Sequence, residues 1–203
     1  MSTVAAHVAG QPITVAELDT RETRLRAEVP AAALPAVHTG EGRQLRRWLT
    51  QLLVTERLVW VEAARLGVRA ADAPDIDDIL PTGPARHEVG SITAAVLAEP
   101  LARALFAAVT ADTRVGDDEV ADYHRRNPSR FADTAPGPDG WRVRGAPPAL
   151  EQVRPAVTAH LLAAARRRAF RNWLDARRAE LVTLAPGFEH PGDPRQPDNV
   201  HRH

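Results

Sequence analysis

The 203-residue chain carries 26 arginines, no lysine and no cysteine, and its formal net charge is zero. This balance excludes long-range attraction to nucleic acid or to an acidic membrane surface. The missing lysine excludes Schiff-base and phosphate-loop chemistry, and the missing cysteine excludes disulfides and thiolate metal sites. The first residues lack a basic leader and no apolar run reaches 18 residues, so we expect a cytoplasmic protein without a membrane span.

The N-terminal segment predicts a strand, a turn and a capped helix. Residues 4–8 have the apolar composition of a short strand, and residues 10–12 contain the Gly and Pro of a turn. Thr14 is followed three residues later by Glu17, which is the spacing of a capping box. We therefore predict a helix over residues 15–28.

A long amphipathic helix comes next. Its apolar side chains recur at helical spacing over more than half of the circumference, and Gly67 marks its C-terminal end. We expect this helix to be buried on two sides and to be the central packing element. The apolar set is Leu45, Trp48, Leu49, Leu52, Leu53, Val59, Trp60 and Ala63.

A loop and a second apolar helix follow. Residues 68–86 are acidic and rich in proline, which predicts a surface loop with one helical turn at 76–80. The second helix begins near an N-cap at Ser91 or Thr93, and Pro100 breaks or kinks it because proline removes a backbone donor.

The last third of the chain predicts a strand remnant at 113–115, a short helix from Asp117 to Asn127, and a loop over 133–148. A long helix then begins near residue 150 and is followed by a proline-rich tail. The sum is a mostly α protein with one or two short strands.

Four segments, in this order, resemble the helical module of SurA-type and PrsA-type foldases, which carry a parvulin-type prolyl isomerase domain. The first resembles the family's opening strand and helix, and the second its long helix. The third is similar to its acidic helix that ends in Asn-Pro and Phe, and the fourth to its C-terminal helix. The segments are HVAGQPITVAELD, RQLRRWLTQLLVTERLVWVEAARLGV, VGDDEVADYHRRNPSRF and LEQVRPAVTAHLLAAARRRAFRNWLDARRAELV.

In that family the isomerase domain is inserted after the Asn-Pro and Phe segment. Here residues 133–148 stand in that place, and "WRVRG" at 141–145 would be the stub of the insert's first strand. The resemblance implies one SurA-like helical domain over 1–185 and an extended or disordered tail over 186–203. It also implies a chaperone-like module that holds a partner protein or peptide in an apolar groove, without isomerase activity.

Aromatic and apolar side chains are the candidates for that groove. They form either the core or a surface left open by the lost insert, and the sequence leaves both possibilities open. The candidate substrate-binding residues are Trp48, Leu52, Trp60, Phe106, Tyr123, Phe131 and Trp173.

A weaker resemblance links the chain to proteins of natural-product gene clusters labelled malonyl transferase. It implies an alternative function as a small-molecule-binding or acyl-transfer enzyme. Such an enzyme needs a serine on a Gly-x-Ser-x-Gly turn and a histidine base. "HEVGSITAA" offers His87, Glu88 and Ser91 as catalytic candidates, but Thr93 occupies the place of the second glycine. A helix N-cap role explains Ser91 better.

Histidines and arginines complete the candidate sites. The histidine-rich tail has no fixed geometry, so we expect no metal site and no cofactor. The arginines at 166–168 and 177–178 form a basic face, which we expect to pair with carboxylates of other helices rather than with nucleic acid. His160 is expected to be a hydrogen-bonded core residue. A homodimer that exchanges the helix over 153–182 is a further possibility.

Overall fold

The computed structural model describes residues 3–136 and 141–193, and most of them are helical. The predicted mostly α fold is confirmed, and the described residues form five short strands where one or two were expected. The strands are β1 (Val4–Val8), β2 (Gln11–Thr14), β3 (Thr134–Pro136), β4 (Arg142–Arg144) and β5 (Val182–Leu184). The helices are α1 (Val15–Glu28), α2 (Gly40–Leu66), α3 (Ile76–Ile79), α4 (Gly83–Val89), α5 (Ser91–Val96), α6 (Pro100–Val109), α7 (Asp117–Arg126) and α8 (Leu150–Leu181), with short 3-10 turns at Ala31–Ala33 and Ala70–Asp72.

The chain divides into two compact units. The first unit joins residues 1–109 to residues 171–203, and the second consists of residues 110–170. Helix α8 passes from the second unit into the first at Arg171. The single domain over 1–185 stays a prediction.

The first unit begins with a β-hairpin. Strands β1 and β2 pair antiparallel through a two-residue turn at Ala9 and Gly10, which both have positive φ, 48° and 77°. This is the geometry of a type I′ turn, whose twist matches that of the flanking strands. The predicted turn at residues 10–12 was wrong, because Pro12 belongs to β2, an edge strand where proline is tolerated.

A third strand joins the two ends of the first unit. The sheet order is β2-β1-β5, and β5 pairs antiparallel with β1. The Ala185 amide donates to the Ala5 carbonyl over 2.9 Å, and the Ala9 amide donates to the Leu181 carbonyl over 2.8 Å. The C-terminal end of α8 is therefore fixed beside the N-terminal hairpin.

Helix α1 has the predicted bounds and the predicted cap. The Thr14 hydroxyl accepts a hydrogen bond from the Glu17 amide at 3.1 Å, and the Glu17 carboxylate accepts one from the Thr14 amide at 2.7 Å. This reciprocal pair satisfies two backbone donors that the first helical turn otherwise leaves free.

Helix α2 is the central element of the first unit. Leu49, Leu52, Val59 and Ala63 are buried, as the apolar pattern predicts, and Gly67 ends the helix with a φ of 68°. The expectation that the whole apolar set is buried was wrong for Trp60, which is 58% exposed. Trp60 follows Val59 directly, and successive helical residues point about 100° apart, so the two side chains cannot share one face.

The segment between α2 and α6 is more helical than expected. Residues predicted as a loop form a 3-10 turn, α3 and the start of α4, while the predicted turn at Ile76 is present as α3. The chain breaks before Pro100, as expected. The predicted caps of α5 were wrong: Gly90 is the N-cap, and Ser91 is the first helical residue.

The second unit contains α7 and a hairpin. Helix α7 begins at Asp117 and ends before Asn127, as predicted, but residues 113–115 form no strand. Strands β3 and β4 pair antiparallel where a loop was expected, and β4 lies within "WRVRG". Residues 137–140, between these strands, lie outside the described part of the chain.

Residues 186–193 return to α2. The buried side-chain amide of Gln51 donates to the Phe188 carbonyl over 2.9 Å, which anchors the chain beyond β5. The remainder of the predicted tail, 194–203, lies outside the described residues. Within the described ranges, no helix has both the length and the apolar character needed to cross a membrane.

A buried carboxylate joins α2 to the end of α8. Glu62 is fully buried, and its two oxygens accept hydrogen bonds from Arg65 of α2 at 2.9 Å and from Arg177 of α8 at 2.8 Å. Burial raises the pKa of Glu62, but the two guanidinium groups outweigh it and hold that pKa below its usual value of 4.5. The expected pairing of the α8 basic face with other helices is thus confirmed at Arg177.

Replacing Glu62 by Gln should lower the free energy of unfolding at pH 7 by about 1–3 kcal/mol, because two guanidinium groups lose their charged acceptor. Since the folded-state pKa of Glu62 lies below 4.5, its contribution is complete above that pH and is lost as the pH falls through the folded value. Urea titrations between pH 3 and pH 7 should therefore show that the free energy of unfolding depends less on pH in the variant than in the wild type.

The matched control is Glu41→Gln, which changes an exposed carboxylate of the same helix. It should shift the free energy of unfolding by less than about 0.5 kcal/mol. Equal effects of the two substitutions would contradict a structural role for the buried Glu62 pair.

Candidate functional site

The structure distributes the candidate groove residues over both units. Trp48, Leu52, Trp60, Phe106 and Trp173 lie in the first unit, whereas Tyr123 and Phe131 lie in the second. Leu52 and Phe106 are buried, Trp60 is exposed, and the others are intermediate. Leu52 and Phe106 therefore contribute to the core rather than to a surface.

In the second unit, Tyr123 and Phe131 meet at His160. The Tyr123 hydroxyl lies 3.0 Å from Nε2 of His160, and the two aromatic rings are 5.4 and 5.9 Å from the imidazole. The expected hydrogen bond of His160 is confirmed, although the residue is only half-buried. This arrangement is typical of a packed aromatic cluster.

In the first unit, a groove runs between α1 and α2. It consists of two adjoining hollows of about 370 and 180 Å³, which share Glu17 and Leu53. The exposed indole of Trp60 lines the smaller hollow together with Ile13 of β2. The larger hollow is lined by Thr14, Ala16, Glu17, Thr20, Arg21, Arg24 and Leu53.

Two ion pairs cross this groove from α1 to α2. Arg57 donates to Glu17 over 2.9 Å, and Arg21 donates to Glu56 over 2.8 Å. The pKa of Glu56 is raised because burial outweighs the attraction of Arg21. The pKa of Glu17 is lowered, mainly because the carboxylate accepts the Thr14 backbone amide.

A second cavity of the first unit, the α5–α8 cleft, lies between the α4–α5 junction and the end of α8. Its volume is about 340 Å³. The lining residues are Thr55, Leu58, Val89, Gly90, Ser91, Ile92, Thr93, Arg171, Leu174, Asp175, Arg178 and His190. No pattern in the sequence indicates this set, because its members come from four separated segments.

The three catalytic candidates are only partly brought together. Ser91 lines the α5–α8 cleft, but His87 and Glu88 are exposed on α4 and do not line it. His190 does line it, and its Nδ1 accepts the backbone amide of Gly192 over 3.0 Å. A neutral imidazole with an accepting Nδ1 carries its proton on Nε2, so Nε2 of this ring is a donor and not a base.

The cleft is cationic on one wall. Nη2 of Arg178 is buried and has no hydrogen-bond partner within the described residues. The carboxylate that attracts this arginine, Asp175, lies on the same helix, so the expected pairing of Arg178 across helices stays a prediction. Burial lowers the pKa of Arg178, against the attraction of Asp175. Burial and the charge of Arg178 also lower the pKa of His190, while Asp193 opposes them. An arginine stays protonated in such surroundings, and the neutral imidazole beside it is favoured.

Among the described residues, no group of three or more His, Asp or Glu side chains is placed to hold a metal ion. Among the histidine and acidic residues of the tail, Glu189, His190 and Asp193 are described. Asp198, His201 and His203 lie outside the described residues.

A family of unknown function (DUF7158) matches residues 4–41. The match covers β1, β2, α1 and the first residues of α2, so the chain is similar to that family over less than half of its length. No curated protein and no solved structure matches the chain. The matched segment supplies the α1 wall of the groove, while Leu53 and Trp60 of the opposite wall come from α2.

The bend between α4 and α5 shapes the cleft and requires glycine. Gly90 has φ 83° and ψ 155°, a combination that side chains with a Cβ rarely adopt, although a Cβ would meet no atom within 4 Å. Gly90→Ala should therefore destabilise the fold by about 1–3 kcal/mol through backbone strain alone. Chemical denaturation would measure this loss.

Gly116→Ala is the control, because Gly116 also has free space around a Cβ but has an ordinary φ of −82°. Its effect should be smaller. A loss for Gly90→Ala no larger than for this control would show that the bend tolerates a side chain.

Proposed function

We propose that the protein is a chaperone-like binding protein that holds an apolar segment of a partner protein or peptide in the α1–α2 groove, without isomerase activity. The observation that carries this proposal is the exposed indole of Trp60, which is 58% accessible and lines one hollow together with Ile13 and Leu53. Tryptophan is one of the residues that are enriched at the energetic centre of protein interfaces.

The charges around the groove support a polypeptide ligand. The Glu17–Arg57 and Arg21–Glu56 pairs hold the side chains of both walls in place before a partner arrives. A preorganised surface loses less conformational entropy on binding. Arg24 is exposed in the same groove and adds a positive charge, which favours a segment with an acidic residue beside its apolar side chains.

The setting of this activity is also part of the proposal. We infer a cytoplasmic protein that serves a biosynthetic pathway, with no nucleic acid or membrane as partner. The resemblance of the helical segments to SurA-type and PrsA-type foldases supports the chaperone-like role. Homodimerisation remains compatible with it, and sedimentation would measure it.

The test is Trp60→Ala, compared with Trp141→Ala. Both indoles are exposed, 58% and 80%, so neither substitution should unfold the protein, but only Trp60 lines the groove. Wild type should suppress the aggregation of a denatured client in a light-scattering assay. Trp60→Ala should weaken this suppression by at least about tenfold, and Trp141→Ala should leave it unchanged.

Equal activity of the two variants would refute the groove as the binding surface. A wild-type protein that neither suppresses aggregation nor retains any partner in pull-downs would refute the binding function itself.

An acyl-transfer enzyme of natural-product biosynthesis is the second candidate, because Ser91 lines a cleft large enough for a small substrate. In this case Ser91→Ala should abolish turnover of an acyl thioester, measured by thiol release. The donor character of His190 opposes this mechanism, so we expect no turnover by wild type. Turnover that Ser91→Ala removes would establish the enzyme.

A further inference from the structure

The α5–α8 cleft combines an unsatisfied hydrogen-bond donor with apolar walls. The buried Nη2 of Arg178 lacks a hydrogen-bond partner within the described residues, and His190, whose Nδ1 accepts the Gly192 amide, lines the same cavity. A buried guanidinium nitrogen without a hydrogen-bond acceptor is costly, and a ligand that supplies the acceptor would remove this cost.

The formal charges favour an anion. Two arginines, Arg171 and Arg178, line the cleft against the single carboxylate of Asp175, while His190 is the neutral form that donates through Nε2. Ser91 and Thr93, whose side chains carry hydroxyl groups that can donate, also line the cleft. A carboxylate or phosphate accepts such converging donors in short, charge-assisted hydrogen bonds.

The remaining walls are apolar. Leu58, Val89 and Leu174 are almost fully buried around the cavity, and Ile92 completes this surface. The volume of about 340 Å³ lies at the small end of the range for ligand pockets. The ligand is therefore small and has a hydrocarbon body as well as a charged head.

We propose that the α5–α8 cleft binds a small organic anion, with its carboxylate or phosphate head on Arg178 and His190 and its hydrocarbon chain against Leu58, Ile92 and Leu174. This site is separate from the α1–α2 groove, and the proposal goes beyond partner binding. It needs no catalytic step at Ser91.

Nuclear magnetic resonance titrations with hexanoate, hexyl phosphate and hexanol test this proposal. The three probes share one hydrocarbon chain and differ in the head group. Saturable shifts of the Ser91 and Thr93 amide signals are expected with at least one anion, and hexanol should bind at least about tenfold more weakly. The tighter anion identifies the head group.

Arg178→Met removes the charge and keeps an unbranched side chain. It should weaken binding of the preferred anion at least about tenfold, leave hexanol binding unchanged, and leave the melting temperature unchanged or higher, because an unpaired buried charge is lost. Arg86→Met changes an exposed arginine of α4 outside the cleft and should bind like wild type.

The proposal is overturned if neither anion binds below about 10 mM, or if hexanol binds as tightly as both anions. It is also overturned if Arg178→Met retains wild-type affinity for the anion. If this variant fails to fold, the comparison of anion binding with hexanol binding by the wild type decides whether the proposal holds.

Discussion

The first unit depends on the ion pair between buried Glu62 and Arg177. A buried carboxylate loses its hydration, and only good hydrogen bonds on both oxygens offset that cost. Arg65 and Arg177 provide these bonds, and the forked guanidinium of Arg177 also reaches Glu180. Because the chain has no lysine, every ion pair that involves a basic side chain other than histidine uses arginine, which offers several donors in a fixed plane. The pair fixes the end of α8, and therefore β5, which directly follows it.

The same arrangement recurs on the other side of α2. Glu22 of α1 is buried and accepts hydrogen bonds from Arg26 and Arg46, so α2 is joined to α1 and to α8 by two buried carboxylates. The cavities beside α2 differ in their charges. In the α1–α2 groove, Arg21 and Arg57 both have carboxylate partners, whereas in the α5–α8 cleft the terminal nitrogen of Arg178 has none among the described residues. The two proposed ligands follow this difference, since a polypeptide segment is proposed for the groove and an anion for the cleft.

Local signals in the sequence were sufficient to predict helices α1, α2 and α7, because capping residues and apolar spacing determine helix formation among residues that are close in the chain. They were insufficient for β5, whose three residues are a strand only because the edge of β1 accepts them. Ser91 shows the same limit, since the unusual φ of Gly90 moves the helix start by one residue. The α5–α8 cleft was beyond prediction, because it assembles distant segments and no periodicity relates them.

Adjacent positions on α8 have opposite roles, and this links stability to binding. Arg177 points to Glu62, whereas Arg178, about 100° further around the helix, lines the α5–α8 cleft. The paired arginine thus holds the helix in the orientation that places Arg178 at the cleft. Strand β5 follows α8 and pairs with one edge of β1. The other edge of β1 pairs with β2, and Ile13 of β2 lines the groove. Glu62 lines neither cavity, whereas Trp60 lines the groove and Arg178 lines the cleft. Trp60 and Arg178 are therefore the positions that separate groove binding from cleft binding.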